Sequence, residues 1–143
     1  MCYNVIIMEG NRKSKPRALL VFGAPASGKT TFAEKFAKKF GLACYDLKTL
    51  MEEHGFTHEM ILVLVEQLLK TGQTILIEGA LDTEKERLEI RNLARKYGYE
   101  PALIWLQTDT ATIRQRLKQQ YRSVSKAKTA YDAAVSEIEA PLD

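Results

Sequence analysis

The sequence predicts a three-layer α/β fold in which a parallel sheet is flanked by helices on both faces. Three observations carry this. Apolar runs of strand length alternate with segments of helical periodicity from residue 18 onward. The runs are continuously apolar, as strands buried on both faces require. Gly23, Asp46 and Glu78 stand at the downstream ends of three of them, where ligands bind in sheets of this kind.

Residues 3–8 read as a short strand or a loose arm, and the polar stretch 10–17 as a solvated linker with Arg12, Lys13, Lys15 and Arg17. They make an N-terminal arm and basic linker, 1–17, ahead of one domain, 18–143. Residues 18–22 are an apolar run ending at Gly23. Phe32, Phe36 and Phe40 recur every four residues beside Ala33 and Ala37, which predicts a helix stopped at Gly41 with its phenylalanine stripe in the core. Residues 42–45 form a second strand, followed by Asp46. Residues 47–55 read as a broken helix, and 57–71 as a longer one with Ile61, Leu64, Val65 and Leu68 at helical spacing. Residues 74–78 are a third strand closing on Glu78. Thr83 and Glu86 have the spacing of a capping box, and the helix they start buries Ile90, Leu93, Ala94 and Tyr97. Residues 101–107 supply a fourth strand. Asp109 caps a helix carrying Ile113, Leu117 and Tyr121. After a short break near 122–125, a last helix aligns Ala127, Ala130, Tyr131, Ala134 and Ile138.

Composition narrows the function classes. The 143 residues are 45% apolar and 27% charged, with a net charge of +3. That charge is too mild to argue for nucleic acid, though it is compatible with an anionic ligand. Cys2 and Cys44 form neither a disulfide framework nor a metal-binding spacing, which predicts a reducing, cytoplasmic setting. The N-terminus lacks the features of a signal peptide, no run is long enough to span a membrane, and no protein partner is evident. His54 and His58 flank Gly55 and are not read as a metal pair.

The specific signal is Gly23-Ala24-Pro25-Ala26-Ser27-Gly28-Lys29-Thr30, followed by Thr31. It has the spacing of a Walker A loop, between an apolar strand and an amphipathic helix. Glycines at the bends let backbone N–H groups approach a polyphosphate, and the helix N-terminus adds positive partial charge. Lys29 reaches the β- and γ-phosphates, and Thr30 ligates magnesium. ATP and Mg²⁺ are therefore expected on residues 23–31. Ala26 puts a Cβ on the loop, which predicts φ < 0 there.

The loop resembles that of P-loop kinases of the polynucleotide 5′-hydroxyl kinase and zeta-toxin type. The likeness continues in Ile75-Leu76-Ile77-Glu78, in Arg87 with Leu93-Ala94-Arg95, in Leu103-Ile104-Trp105-Leu106 followed by Arg114 and Arg116, and in Glu139-Ala140-Pro141. It implies a P-loop NTPase fold with a central five-stranded parallel sheet, Mg-ATP, and phosphoryl transfer to a hydroxyl. It makes Asp46 the general base, with Thr49 at a position that is usually basic and Lys48 beside it. Members of the group continue into a last strand, for which residues 3–8 are the candidate substitute here.

The expected catalytic set is Lys29, Asp46, Glu78, Arg116 and Arg122, with Thr30 and Glu78 at the metal. Each has an alternative: Asp46 as a helix cap, Glu78 as a strand-end carboxylate, and Arg116 and Arg122 as a solvated helix face. Arg87 either binds substrate or pairs with Glu84 or Glu86. The acceptor is a nucleoside, nucleotide, polynucleotide end or small metabolite. The alternative from a different class is a nucleotide-binding module or ATPase without transfer. No Asn/Thr-Lys-x-Asp guanine motif is present.

Overall fold

In a computed structural model the apolar runs assemble into one five-stranded sheet with helices on both faces. The structure describes residues 4–8, 15–121, 124–137 and 140. The strands are β1 (Asn4–Met8), β2 (Arg17–Gly23), β3 (Ala43–Asp46), β4 (Ile75–Glu78) and β5 (Glu100–Gln107). The helices are α1 (Lys29–Phe40), α2 (Leu47–His54), α3 (His58–Leu69), α4 (Glu84–Lys96), α5 (Thr110–Tyr121) and α6 (Val124–Glu137). The sheet order is β1-β5-β2-β4-β3. The pairs β5·β2, β2·β4 and β4·β3 are parallel.

The fifth strand departs from the all-parallel sheet that the resemblance implied. β1 runs antiparallel to β5, from Asn4↔Gln107 to Met8↔Leu103. The connection from Met8 to Arg17 is too short for a parallel crossover, which takes about a dozen residues. A chain entering from that side can only reverse direction. The arm thus contributes an edge strand beside β5.

Alternation along β2 separates two cores. Ala18, Leu20 and Phe22 face α2, α3 and α4, in a cluster with Ile61, Val65, Leu69, Ile77 and Ile90. Leu19 and Val21 face the other way, with Leu76, Ile104 and Leu106 against Ala33 of α1. All four residues of β4 are buried, as a central parallel strand requires.

α1 differs from its expected packing. Its buried residues are Ala33 and Ala37. Phe32 and Phe36 are partly buried along the flank, and Phe40 is 56% exposed. Two small residues one turn apart let the helix sit close to the sheet, so the larger rings are pushed to the sides. They meet one another at tilted angles instead, with Phe36 and Phe40 centroids 4.6 Å apart.

Residues 47–54 form one unbroken helix where the sequence suggested a broken one, because Asp46 caps its first turn and Gly55 closes its last. α4 and α5 start as their sequences predict. Thr83 and Glu86 close a reciprocal capping box. Asp109 accepts from Thr112 N at 2.8 Å and from its hydroxyl at 2.6 Å. α6 packs beside α5. Ile138, Glu139 and Pro141 lie outside the described residues. No described helix is long and apolar enough to cross a membrane.

Candidate functional site

Gly23 ends β2 where a side chain has no room. A Cβ there would lie 2.6 Å from the Leu106 carbonyl oxygen of β5. The loop then turns tightly, with Ser27 N donating to Ala24 O at 3.0 Å. Two side chains hold its carbonyls. Arg116 Nη1 donates to Ala26 O at 2.7 Å, and Thr108 Oγ1 donates to Ser27 O at 2.8 Å. In a planar trans peptide the N–H points opposite to the C=O. Fixing Ser27 O on Thr108 therefore aims the Gly28 N–H away from β5's end.

Ala26 has φ 58, which overturns the expectation of φ < 0. The left-handed conformation follows from the turn before it and from the carbonyl held by Arg116. Its methyl packs against Ile113 and Leu117 of α5, which offsets part of the strain. An L-residue there costs about 1–2 kcal/mol relative to the right-handed region. Ala26→Gly is accordingly expected to stabilise the chain by about 0.5 kcal/mol in urea melts, after the lost packing and the greater unfolded-state freedom of glycine. A destabilised variant would show that the methyl contact outweighs the strain.

α1 begins at Gly28, in the left-handed region with φ 92, and no side chain caps it among the described residues. Its first-turn amides are therefore oriented for an acceptor from outside the chain. Ser27 Oγ is buried with no hydrogen-bond partner among the described residues. Both observations fit a phosphate-bearing ligand on the loop.

The carboxylates converge through strand register. Asp46 and Glu78 are parallel partners at the ends of β3 and β4. Past Glu78 the chain bends through Gly79 at φ 77 and Ala80 at φ 53. A Cβ on Gly79 would fall 2.7 Å from Lys48 N and 3.1 Å from Asp46 Oδ1. The glycine thus lets the β4 end approach the head of α2. Asp46 caps that helix, accepting from Thr49 N at 3.1 Å and Thr49 Oγ1 at 2.6 Å. A carboxylate offers about four lone-pair positions, so two bonds from Thr49 leave acceptor capacity.

Electrostatics bind these groups into one unit. Burial pushes the Lys29 ammonium below its ordinary range, and the Asp82 carboxylate is the strongest influence the other way. Glu78 is 3% exposed. Burial pushes its carboxyl up; a hydrogen bond from Thr30 draws it down, and the charge of Asp46 adds to the rise. A divalent cation between Thr30 and Glu78 would relieve that repulsion. Among the described residues, no group of three or more His, Cys, Asp or Glu could hold a metal. Magnesium there would draw further oxygens from phosphate and water, its usual habit.

Cys44 belongs to the same field. Burial, then Glu78, Asp46 and Glu34, push its thiol up to about 11. It should therefore alkylate slowly with iodoacetamide at pH 8, and much faster once the chain is unfolded. Equal rates in both states would show that neither burial nor the neighbouring carboxylates hold the thiol protonated.

A cavity of about 310 Å³ joins these parts, lined by Lys29, Thr30, Asp46, Lys48, Glu52 and Glu78 among others. A larger one, about 470 Å³, opens between α3 and α4 around Leu62, Val63 and Leu93, and includes no residue of the loop. Of the residues expected from sequence, Pro25, Ala26, Lys29, Thr30, Asp46 and Glu78 line the smaller cavity. Arg116 instead holds the loop carbonyl. Arg122 lies outside the described residues. Arg87 is fully buried and paired with Glu84 at 3.0 Å, while Glu86 closes the capping box. Sequence reasoning missed Asp82, whose only signal was a carboxylate in the loop after a buried strand. It also missed Thr108 as a carbonyl clamp, which no motif announces.

A family profile described as an AAA domain matches residues 19–142. No curated protein matches the chain at a significant level. Among solved structures, a gluconokinase from Sinorhizobium meliloti 1021 is similar at TM-score 0.64 and 14% identity, covering 90% of this chain and 78% of that one. The APS kinase CysC of Mycobacterium tuberculosis, in complex with AMPPNP and APS, is similar at TM-score 0.62 and 14% identity, covering 92% and 86%. A structure from the PezAT toxin–antitoxin system of Streptococcus pneumoniae is similar at TM-score 0.58 and 24% identity, covering 81% and 58%. At these identities the likeness speaks for a P-loop kinase fold alone.

Proposed function

We propose that this chain, which belongs to the AAA-domain family, is a small kinase that moves the γ-phosphate of Mg-ATP to a hydroxyl or phosphate acceptor. The observation that carries the reading is the meeting of Lys29, Thr30, Asp46 and Glu78 in one cavity at the carboxyl edge of the sheet. Residues 23–31 would hold the phosphates, and Thr30 and Glu78 the magnesium. When bound, that ion supplies charge neutralisation at the phosphate oxygens.

The remaining chemistry is positioning. Asp46 takes the proton of the acceptor hydroxyl as its oxygen bonds to the γ-phosphorus. The bond from that phosphorus to the β–γ bridging oxygen breaks, and Lys29 meets the charge left on the departing diphosphate. Arg116 keeps Ala26 in its left-handed conformation and so acts on the loop's shape.

Calorimetry and transfer of labelled γ-phosphate to an acceptor panel test this together. Mg-ATP binding weakened roughly tenfold or more by Lys29→Ala, with transfer lost on Asp46→Ala, is the expected result. Tight ATP binding without turnover, unchanged by Asp46→Ala, would identify a nucleotide-binding module. The engagement of both Asp46 oxygens by Thr49 is what favours that second reading.

A further inference from the structure

The phosphate loop is held from outside itself. Within it, Ser27 N donates to Ala24 O. Ser27 Oγ, though buried, has no hydrogen-bond partner among the described residues, and no side chain caps α1 at Gly28. Two of its residues, Ala26 at φ 58 and Gly28 at φ 92, stand in the left-handed region. Support arrives from one neighbouring corner, where β5 passes into α5. At the loop's start, a Cβ on Gly23 would fall 2.6 Å from the Leu106 carbonyl oxygen. In its middle, Ala24 and Ala26 pack on Ile113 and Leu117, and Arg116 Nη1 donates to Ala26 O at 2.7 Å. At its end, Thr108 Oγ1 donates to Ser27 O at 2.8 Å. The corner is itself stiff. Thr108 stands between Gln107, the last residue of β5, and Asp109, which caps α5 through Thr112.

The two donors fix two peptide planes. A guanidinium donates and cannot accept, so Arg116 holds the 26–27 peptide with its carbonyl toward α5. That orientation goes with the left-handed Ala26, a conformation that an L-residue resists. Thr108 holds the next plane, with the Gly28 N–H on the side opposite to the Ser27 carbonyl. Glycine has no Cβ to oppose the turning of that plane, so the hydroxyl supplies the restraint. Neither Thr108 nor Arg116 lines the cavity around Lys29 and Thr30. Their effect on a ligand there passes through the loop.

We infer that Thr108 and Arg116 are positioning residues for the nucleotide: from the β5–α5 corner they hold the loop's amides in the orientation that polyphosphate oxygens accept from, and so set nucleotide affinity through the loop's backbone. The inference rests on residues 23–31 as a polyphosphate site and does not depend on transfer to an acceptor.

Calorimetric titration of the full chain with Mg-ATP tests it, with urea melts to show that each variant folds. Arg116→Ala is expected to weaken binding about tenfold, the worth of a hydrogen bond from a charged donor. Adding Ala26→Gly is expected to recover most of that loss, to within about threefold of wild type, because glycine takes the left-handed conformation without steric cost. Thr108→Val is expected to weaken binding about fivefold, and Thr108→Ser to stay within about twofold of wild type, since serine keeps the donor. A guanidinium acting directly on the phosphates would cost the same with or without Ala26→Gly, and that result overturns the inference for Arg116. Thr108→Val binding as tightly as wild type, or Thr108→Ser as weakly as Thr108→Val, overturns it for Thr108. A wild-type chain that binds no Mg-ATP overturns the reading of the loop and this inference with it. The expected pattern of binding without transfer to any acceptor overturns the kinase reading and supports this inference.

Discussion

Asp46→Asn is expected to lower phosphoryl transfer by roughly 10²- to 10⁴-fold while leaving Mg-ATP binding nearly unchanged. The substitution separates two roles that the geometry superimposes. Asp46 caps α2 through Thr49, and it stands beside Glu78 at the sheet edge. Asparagine caps a helix about as well as aspartate, so the head of α2 should survive. What asparagine cannot do is take a proton from an acceptor hydroxyl. Urea melts would report the cap, and single-turnover transfer would report the proton. If stability fell while transfer held, Asp46 would be a cap and the base would lie elsewhere. Thr49→Val is a useful companion, because it removes one donor to the carboxylate and leaves the charge in place.

Arg87→Ala is expected to destabilise the chain by about 3 kcal/mol, the largest stability loss of any single truncation considered. Arg87 is fully buried. Its Nη1 donates to the Leu81 and Asp82 carbonyls, each at 2.8 Å, and its Nη2 to Glu84 at 3.0 Å. Its guanidinium lies 4.3 Å from the Phe22 ring centroid, and Phe22 in turn stacks on Trp105 at 5.9 Å. Truncation opens a cavity and leaves two carbonyls without their donor, and each stranded acceptor costs about 1–3 kcal/mol. Arg87→Met keeps more of the volume but none of the donors, so it should fall between wild type and alanine. The Leu81–Asp82 turn also sits between Glu78 and α4. Its loosening should weaken nucleotide binding, because Asp82 supports Lys29. A melting curve for Arg87→Ala within 0.5 kcal/mol of wild type would contradict the role assigned to this side chain.

Much of the fold was legible because each element announces itself locally. The buried β4 run, the Thr83–Glu86 box and the Asp109 cap are signals carried within a few residues. The juxtaposition of Asp46 and Glu78 was also accessible, since parallel strands bring their carboxyl ends to one edge. The phenylalanine stripe misled because periodicity shows which residues share a helix face and not how close that helix lies. Ala33 and Ala37 settled the distance.

By itself, the sequence determined the P-loop and the alternation of strand and helix around it, since backbone turn chemistry and hydrophobic period are local properties. The tertiary structure decided the direction of β1, the left-handed Ala26 held by Arg116, the burial of Arg87 under the Leu81–Asp82 turn, and the company of Lys29. Each of these depends on contacts between residues distant in the chain or on the room left by neighbouring elements, and neither quantity is written at any one position.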